Sequence, residues 1–397
     1  MIKNDLCISC GVCEAVCPKN CISFQKNNFN FVPQISDNCI KCGLCKKVCP
    51  MQNLCDNFNS DLSIEKAILG NYKKILSAKS KNKTILQNAT SGGAITTLIK
   101  ALLNSDVFDA AFLLDGYSYN NLLSTKLFQK NDDLSKTQKS RYLTVSHYNT
   151  CKYISGNPDK KIIIVGTGCC INAILNFIKL KNLKRENYLF LGLICDKTMN
   201  YGVVEYFRAF SKNKNLLNLF FRTKINGGWP GNIRLEYSDG SFLDLDKKER
   251  MKVKNYFLPE CCLYCLNKLN TNADMVFGDN YIKELEDIEG KSSVLIRTDL
   301  GISVFEKFEH LFEFLPTDEK TLLYSLKLGN RNKHLAFAKI KGFIKGNIDE
   351  CFYSEYKNAL SKIKIGSAKN VYKAVQKDLN SNPNIFEKIK QILKIRI

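Results

Sequence analysis

The stretch that decides the fold reads CISCGVCEAVCP at residues 7–18 and returns as CIKCGLCKKVCP at residues 39–50. In each copy three cysteines stand at intervals of three residues, and a fourth follows directly before a proline. Three cysteines so spaced wrap a short loop around one [4Fe–4S] cluster, and the fourth begins a helical turn that points to the cluster of the other copy. The order therefore predicts two clusters that exchange their fourth ligands.

The eight cysteines of this repeat favour a bacterial-type ferredoxin domain over residues 1–57, with a zinc site as the weaker alternative. Gly11 and Gly43 take equivalent positions, where the backbone must pass close to the cluster. Residues 22–24 and 29–32 alternate like a small hairpin. We interpret Cys21 and Cys55 as packing thiols. The predicted ligands are Cys7, Cys10, Cys13 and Cys49 for one cluster and Cys39, Cys42, Cys45 and Cys17 for the other.

The composition agrees with a metal-binding chain. Its 397 residues suffice for two or three domains, and its 18 cysteines are clustered along the sequence. Clustered cysteines favour metal binding over disulfides in a cytosolic protein. The longest apolar runs are about eight residues, short of the roughly 20 that span a bilayer. Without a secretory signal at its start, the chain is expected in the cytoplasm.

The formal charge of +21 is unevenly distributed. From residue 321 onward there are 16 Lys and Arg against 5 Asp and Glu. Three readings stay open for this basic C-terminal region: a solvated surface, a site for an acidic protein partner, and peripheral contact with an anionic membrane. No nucleic-acid recognition motif accompanies the charge, so we expect no nucleic acid partner.

A second domain is expected from residue 84 to 315, after a polar connector at 58–83. Residues 94–103 have the spacing of an amphipathic helix. The stretch Thr90-Ser91-Gly92-Gly93 precedes it, and a turn of this kind presents backbone N–H groups that suit a phosphate or an anionic flavin edge. An ordinary helix cap explains the same residues.

A strand–helix–strand unit follows, with strands at 162–165 and 188–194 and a helix at 169–180. Such strands should be parallel, so Cys169 and Cys195 should share the carboxyl edge of the sheet, where ligands bind in open α/β folds. With Cys262 and Cys265 they form a plausible third [4Fe–4S] site. Two alternatives remain: Cys170 or Cys261 could replace a neighbour, and the whole group could be structural thiols. A further strand ends at Gly278-Asp279, either beside a pocket or in a turn.

Seven stretches together resemble the coenzyme F420 hydrogenase/dehydrogenase beta-subunit family, in the version with a fused N-terminal ferredoxin. They lie within residues 85–300: Ser91-Gly92-Gly93, Lys139-Ser140-Arg141-Tyr142, Gly166-Thr167-Gly168-Cys169, Leu193-Ile194-Cys195, Phe221-Arg222-Thr223-Lys224, Cys262-x-x-Cys265, and Ala273-Asp274 through Gly278-Asp279.

The resemblance implies an FAD-containing oxidoreductase with a [4Fe–4S] cluster beside the flavin. The residues that it suggests for the flavin are Thr90, Ser91, Gly92, Gly93, Lys139, Ser140, Arg141, Gly166, Thr167 and Gly168. The family's Gly-Thr-Pro-Cys-Gln is here Gly-Thr-Gly-Cys-Cys at 166–170, and its Cys-His-Gly is Cys-Asp-Lys at 195–197. These changes keep the proposed ligands and leave the substrate unassigned.

Acid–base residues are scarce, with three histidines in the chain. We expect His147 on the surface. Two roles are open for Asp196 and Lys197: contact with flavin or substrate, and capping of a helix. Arg222 and Lys224 either neutralise flavin charges or form salt bridges elsewhere. No catalytic residue is assigned, which agrees with a flavin enzyme, where positioning matters more than a strong base.

The expected architecture is α/β, α+β overall. A ferredoxin domain precedes a mixed-sheet flavin and iron–sulfur domain, and a helical region covers 316–397, with an amphipathic helix near 385–393. The predicted function is electron transfer between ferredoxin-type clusters and FAD for a two-electron substrate, with a redox protein, ferredoxin or a reduced deazaflavin as partner. The alternatives are a non-catalytic subunit of a larger complex and a reductase in surface-polysaccharide synthesis.

Overall fold

The computed structural model describes residues 6–27, 29–52, 68–254, 256–328 and 334. The predictions for Cys55 and for the C-terminal amphipathic helix lie outside these residues. The fold is mixed α/β, as predicted, with an N-terminal ferredoxin-like region and a large mixed sheet.

The ferredoxin-like region consists of two short helices and one hairpin. The predicted hairpin is confirmed, since its strands pair antiparallel from Ile22 opposite Ile35 to Asn27 opposite Asn30. Both helices follow a glycine in the left-handed region, because the chain must turn sharply within each cysteine loop. The elements are α1 (Val12–Val16), β1 (Ile22–Asn27), β2 (Asn30–Ile35) and α2 (Leu44–Val48).

The rest of the described chain supplies thirteen strands and eight α-helices. The strands are β3 (Lys74–Ser80), β4 (Ala110–Leu113), β5 (Leu123–Ser124), β6 (Lys126–Phe128), β7 (Val145–Ser146), β8 (Ile162–Thr167), β9 (Tyr188–Leu193), β10 (Leu216–Thr223), β11 (Asn232–Tyr237), β12 (Phe242–Leu245), β13 (Met275–Asp279), β14 (Ser292–Ile296) and β15 (Phe312–Pro316). The helices are α3 (Lys83–Asn88), α4 (Ala94–Asn104), α5 (Tyr148–Gly156), α6 (Gly168–Leu180), α7 (Gly202–Arg208), α8 (Lys247–Val253), α9 (Asp299–Phe308) and α10 (Glu319–Ser325).

Eight strands form the main sheet in the order β15-β3-β14-β13-β9-β8-β4-β6. The central four, β13, β9, β8 and β4, are parallel, and their outer neighbours are antiparallel. The predicted parallel strand–helix–strand unit is confirmed as β8, α6 and β9. The carboxyl ends of β8, β9 and β13 therefore meet at one edge of the sheet.

Side chains alternate between the two faces of the main sheet, and each face packs into an apolar core. Ile162 and Ile164 of β8 pack with α6 and with the ferredoxin-like region on one face. Ile163 packs with α4 and α9 on the other face. A third core lies between α7 and the antiparallel sheet β10-β11-β12. The ferredoxin-like region is thus part of the main core.

The strand β3 lies inside the stretch that we assigned to a connector at 58–83. It pairs with both β14 and β15, so the main sheet begins before residue 84. The strand was not predicted because the lysines of this stretch gave it the polar character of a connector. One of them, Lys79, is buried and forms ion pairs with Asp287 at 2.9 Å and Glu289 at 2.6 Å.

No helix in the described part of the chain combines the length and apolar character that crossing a membrane requires.

Candidate redox site

The four cysteines predicted for the first cluster lie together at one end of the ferredoxin-like region. Burial, and then the neighbouring Cys49 thiol, raise the pKa of Cys7 to about 12. Burial, followed by Cys7 and Cys49, also raises the pKa of Cys13. Cys10 and Cys13 are buried, whereas Cys7 and Cys49 are partly exposed. Neighbouring thiols that repel one another when ionised suit a cationic partner, and a [4Fe–4S] cluster supplies one. The exchanged ligand Cys49 therefore fits the predicted set.

The second predicted set is less buried. Burial raises the pKa of Cys45, and the nearby Cys42 and Cys39 thiols raise it further. Cys17 and Cys39 in turn both raise the pKa of Cys21, after burial, so these three thiols are neighbours. The Cys21 thiol is buried, consistent with our interpretation that it packs. The donors fit a second cluster held by Cys39, Cys42, Cys45 and Cys17.

Among the described residues, no three Cys, His, Asp or Glu side chains are close enough to share one metal ion.

The first cysteine loop is docked against the main domain. The backbone N–H of His147 donates to the carbonyl of Cys10 at 2.8 Å. A Cβ atom on Gly11 would collide with Oγ of Ser146, so this contact requires glycine. The prediction that His147 is on the surface is wrong: its side chain is 2% exposed. Burial lowers the pKa of His147 to about 4.

The third group of cysteines meets at the carboxyl edge of the main sheet. Cys169 lies in the first turn of α6, directly after β8, and Cys195 follows β9. Cys195 is held by its N–H, which donates to the carbonyl of Lys268 at 2.9 Å. Cys262 and Cys265 belong to a turn that begins at Glu260, and all four cysteines line one cavity. The geometry agrees with the predicted third cluster, which stays a prediction.

Local electrostatics favour a thiolate at Cys169. The thiol of Cys170 and the hydroxyl of Thr167 hydrogen-bond to it and lower its pKa, although burial opposes this shift. The N-terminus of α6 adds the positive end of a helix dipole. Cys170 and Cys261 are buried in the core, whereas Cys169 and Cys262 are partly exposed. All four line the cavity, but their greater exposure favours Cys169 and Cys262 over their neighbours as ligands.

The Ser-Gly-Gly turn contacts β3 and β14 and begins α4. A Cβ atom on Gly92 would collide with the carbonyl oxygen of Ala78, so packing alone requires glycine there. Gly93 has φ of 72° and is the N-cap of α4. The N–H of Gly92 donates to Oγ of Ser292 at 3.1 Å, and the hydroxyl of Ser91 donates to the carbonyl of Lys291. Several polar groups of this turn are therefore engaged within the protein.

Two predicted flavin segments contact each other. The N–H of Ser140 donates to Oγ1 of Thr90 at 2.9 Å. Lys139 is half-buried, and its ammonium group lies near Asn88 and over the Tyr117 and Phe220 rings. Burial lowers the pKa of Lys139 to about 8.

Arg141 is buried within a ring of backbone carbonyls. Its guanidinium donates to five of them, on Gly116, Lys136, Thr137, Gln138 and Lys139. This arrangement organises the loop that carries Lys139, and it places a cation in the protein without a carboxylate contact among the described residues.

Gly166 and Thr167 of the predicted Gly166-Thr167-Gly168 stretch line the same cavity as the third cysteine group. The carbonyl of Gly166 accepts from Asn270 at 3.0 Å, and Thr167 is the N-cap of α6. A Cβ atom on Gly168 would lie 2.5 Å from the Asn267 side chain. The second glycine is thus required by packing against the 260–270 segment that also supplies Cys262 and Cys265.

Arg222 and Lys224 contact the backbone carbonyls of the Thr90–Ser91 turn. The ammonium of Lys224 donates to the carbonyls of Leu86, Ser91 and Glu289. Of the two roles that we considered for Arg222, the structure has the salt bridge, with Asp279 at 2.5 Å. The sequence provided no signal for Arg250, which is buried over the Tyr142 ring and donates to the carbonyl of Phe221.

Asp196, the other acidic candidate, pairs with Lys254 at 3.0 Å and with Lys268 at 3.6 Å. Both it and Lys197 line the same cavity as Cys195. Their positions leave a role at the cofactor or substrate open.

A single cavity of about 2030 Å³ connects these features. It is larger than the roughly 300–1,000 Å³ of most small-molecule sites, so it has room for more than one group. Its lining includes the third group of cysteines and the two contacting segments, Thr90–Ser91 and Lys139–Arg141.

Comparison with known proteins identifies the family of the chain. Residues 6–53 match the model of a 4Fe-4S dicluster domain. Residues 75–151 match the N-terminal part of the coenzyme F420 hydrogenase/dehydrogenase beta subunit, and residues 159–320 match its C-terminal part.

Similar proteins include a subunit of the F420H2 dehydrogenase of Methanosarcina mazei, 24% identical over 79% of this chain and 86% of that protein. The beta subunit of the coenzyme F420 hydrogenase of Methanococcus voltae is 22% identical over 60% of this chain and 81% of that protein. One chain of the F420-reducing [NiFe] hydrogenase complex from Methanosarcina barkeri is 19% identical, covering 66% of this chain and 92% of its own, with a TM-score of 0.49. Because the family models match more than half of its residues, the chain belongs to the coenzyme F420 hydrogenase/dehydrogenase beta-subunit family, with an N-terminal dicluster ferredoxin domain.

Proposed function

We propose that this protein is an iron–sulfur flavoprotein oxidoreductase that exchanges electrons between ferredoxin-type clusters and FAD on behalf of a two-electron substrate. One observation carries the proposal: a single cavity is lined both by Cys169, Cys195, Cys262 and Cys265 and by the predicted flavin segments. Electron exchange between a cluster and a flavin requires the two to be close, and the shared cavity supports such a placement.

The charges around the Thr90–Ser91 end suit an anionic cofactor. Lys139, Arg141 and Lys224 contact carbonyl oxygens, an amide and aromatic rings among the described residues. No carboxylate within the described part of the chain forms an ion pair with them. Buried cations that form no direct ion pair can still attract an anionic ligand. Phosphates of FAD would supply that charge, and Lys139 would orient them.

In this proposal the flavin, when bound, supplies the conversion between two-electron and one-electron chemistry. The chain's own residues bind it, exclude water and hold the cysteines at the sheet edge. Names of the relatives make the deazaflavin F420 the first substrate to test, with a redox protein as the one-electron partner.

The test is anaerobic purification followed by iron, sulfide and flavin analysis. We expect about 12 iron atoms and one FAD per chain, since three clusters hold four irons each. About eight iron atoms without flavin would refute the flavin assignment and favour an electron-carrier subunit. Bleaching of the bound flavin by reduced F420, compared with reduced ferredoxin, then identifies the donor.

A further inference from the structure

The two cysteine loops of the ferredoxin-like region have the same backbone. Ser9 and Lys41 occupy equivalent positions, and each has φ of 55°. Gly11 and Gly43 follow with φ of 71° and 77°, and each precedes a five-residue helix. The loops can therefore be compared residue by residue.

Their surroundings differ. The first loop packs on the main domain, where a Cβ atom on Gly11 would meet Ser146. Around Gly43 nothing described lies within 4 Å of such an atom. Cys10 is buried, whereas the equivalent Cys42 is exposed. The second loop is thus the solvent-exposed one of the two.

Their chemistry differs at the same positions. Where the first loop and helix have Ser9, Glu14 and Ala15, the second have lysines at 41, 46 and 47. Both loops would hold the same kind of cluster, so the cluster itself does not require these lysines. All three are exposed, and none forms an ion pair with a described residue.

The two loops also differ in the exposure of an apolar side chain. Ile8 is buried in the core, whereas the equivalent Ile40 is 57% exposed beside Cys42. Protein interfaces combine a small apolar centre with a charged rim that steers association. Ile40, Lys41, Cys42, Lys46 and Lys47 together form what we call the lysine face.

We propose that the lysine face docks a small acidic one-electron carrier protein. Docking would bring the carrier's redox centre next to the cluster site of Cys17, Cys39, Cys42 and Cys45. One electron passes between the two centres, so that one is oxidised and the other reduced by one electron, and no bond or proton is exchanged. The proposal rests on the electron-transfer part of the proposed function and does not depend on the flavin.

The test compares two triple variants of the full protein, each analysed for iron first. The first is Lys41→Glu, Lys46→Glu and Lys47→Glu. The matched control is Lys100→Glu, Lys179→Glu and Lys184→Glu, which changes three exposed lysines of the main domain by the same charge. Stopped-flow absorbance follows cluster bleaching by a reduced acidic bacterial ferredoxin at low and high ionic strength.

We expect the lysine-face variant to lose at least about tenfold in the second-order rate constant at low salt, since electrostatic steering contributes 10-fold or more. The loss should shrink at high salt. The control should keep the wild-type rate. Titanium(III) citrate, a small anionic reductant, should reduce all three proteins alike at high salt, where charge is screened.

Equal rates for the two triple variants would overturn the proposal. If the glutamate variant lacks iron, the triple variant Lys41→Gln, Lys46→Gln and Lys47→Gln replaces it. We expect a smaller loss of the rate constant in that variant, and a rate equal to that of the control would again overturn the proposal. Lysine-dependent binding to phosphatidylglycerol vesicles, with an unchanged ferredoxin rate, would assign the face to a membrane instead. A preparation that contains clusters but no FAD would refute the flavin assignment and leave this test valid.

Discussion

Arg222 and Asp279 form a buried, doubly hydrogen-bonded ion pair that joins β10 to the carboxyl end of β13. The two contacts measure 2.5 Å from Nη1 to Oδ2 and 2.8 Å from Nη2 to Oδ1. Trp229 donates a third hydrogen bond to the same carboxylate at 2.8 Å. Although burial opposes it, Arg222 holds the pKa of Asp279 below its ordinary value. The pair links the small antiparallel sheet to the edge where the cysteines meet.

Asp279→Asn should strongly destabilise the protein, because it leaves the Arg222 guanidinium buried without its counter-charge. We expect a loss of about 3–5 kcal/mol in the free energy of unfolding, measured by urea denaturation under anaerobic conditions. Asp106→Asn is the control, since its pair with Lys130 is exposed and should contribute about 1 kcal/mol or less. Similar losses in both variants would contradict the role given to the buried pair.

Single cysteine variants should identify the ligands of the third cluster. Replacing Cys169, Cys195, Cys262 or Cys265 by serine should reduce the iron content from about 12 to about 8 atoms per chain. Cys170→Ala and Cys261→Ala, which change the buried neighbours, should retain the full content. An iron loss in Cys170→Ala but not in Cys169→Ser would reverse the assignment of that pair.

Binding of FAD should depend on pH through Lys139. The pKa of this amine is about 8 in the free protein, so the charged form that attracts phosphate disappears as the pH rises through 8. We expect the dissociation constant for FAD, titrated into flavin-depleted protein, to rise about fivefold between pH 8 and 9.

The conservative Lys139→Arg variant serves as the control for that titration. Arginine stays charged throughout this range, so the variant should lose the part of the pH dependence that Lys139 supplies. Burial also lowers the pKa of Lys224 to about 8, so that residue can retain a smaller dependence. An equally steep dependence in the variant would mean that another group is responsible.

Gly11→Ala and Gly43→Ala should differ although both glycines have a positive φ. Each alanine suffers the backbone strain of the left-handed region, but Gly11→Ala also meets Ser146. Overpacking of this kind costs about 1–3 kcal/mol, so Gly11→Ala should have the lower anaerobic melting temperature. Ser146→Ala, combined with Gly11→Ala, should recover part of the loss; no recovery would place the strain elsewhere.

The cysteine repeat and the parallel strand–helix–strand unit could be predicted from the sequence because their signals are local. Ligand spacing in a loop and apolar alternation in a strand depend on neighbouring residues. The strand β3 could not be predicted, since Lys79 is accommodated by Asp287 and Glu289, about 200 residues away in the chain. Likewise the burial of His147 and the carbonyl ring around Arg141 follow from contacts between distant segments.

The sequence by itself determined that two equivalent cysteine loops exist and which thiols they offer. Only the tertiary structure decided that one loop is docked and the other is exposed, because equivalent local sequences fold alike but pack against different neighbours. Docking placed Cys10 next to the segment at 146–148 and left Cys42 at the surface. Which of the two cysteine loops faces the exterior is therefore a property of packing rather than of the motif.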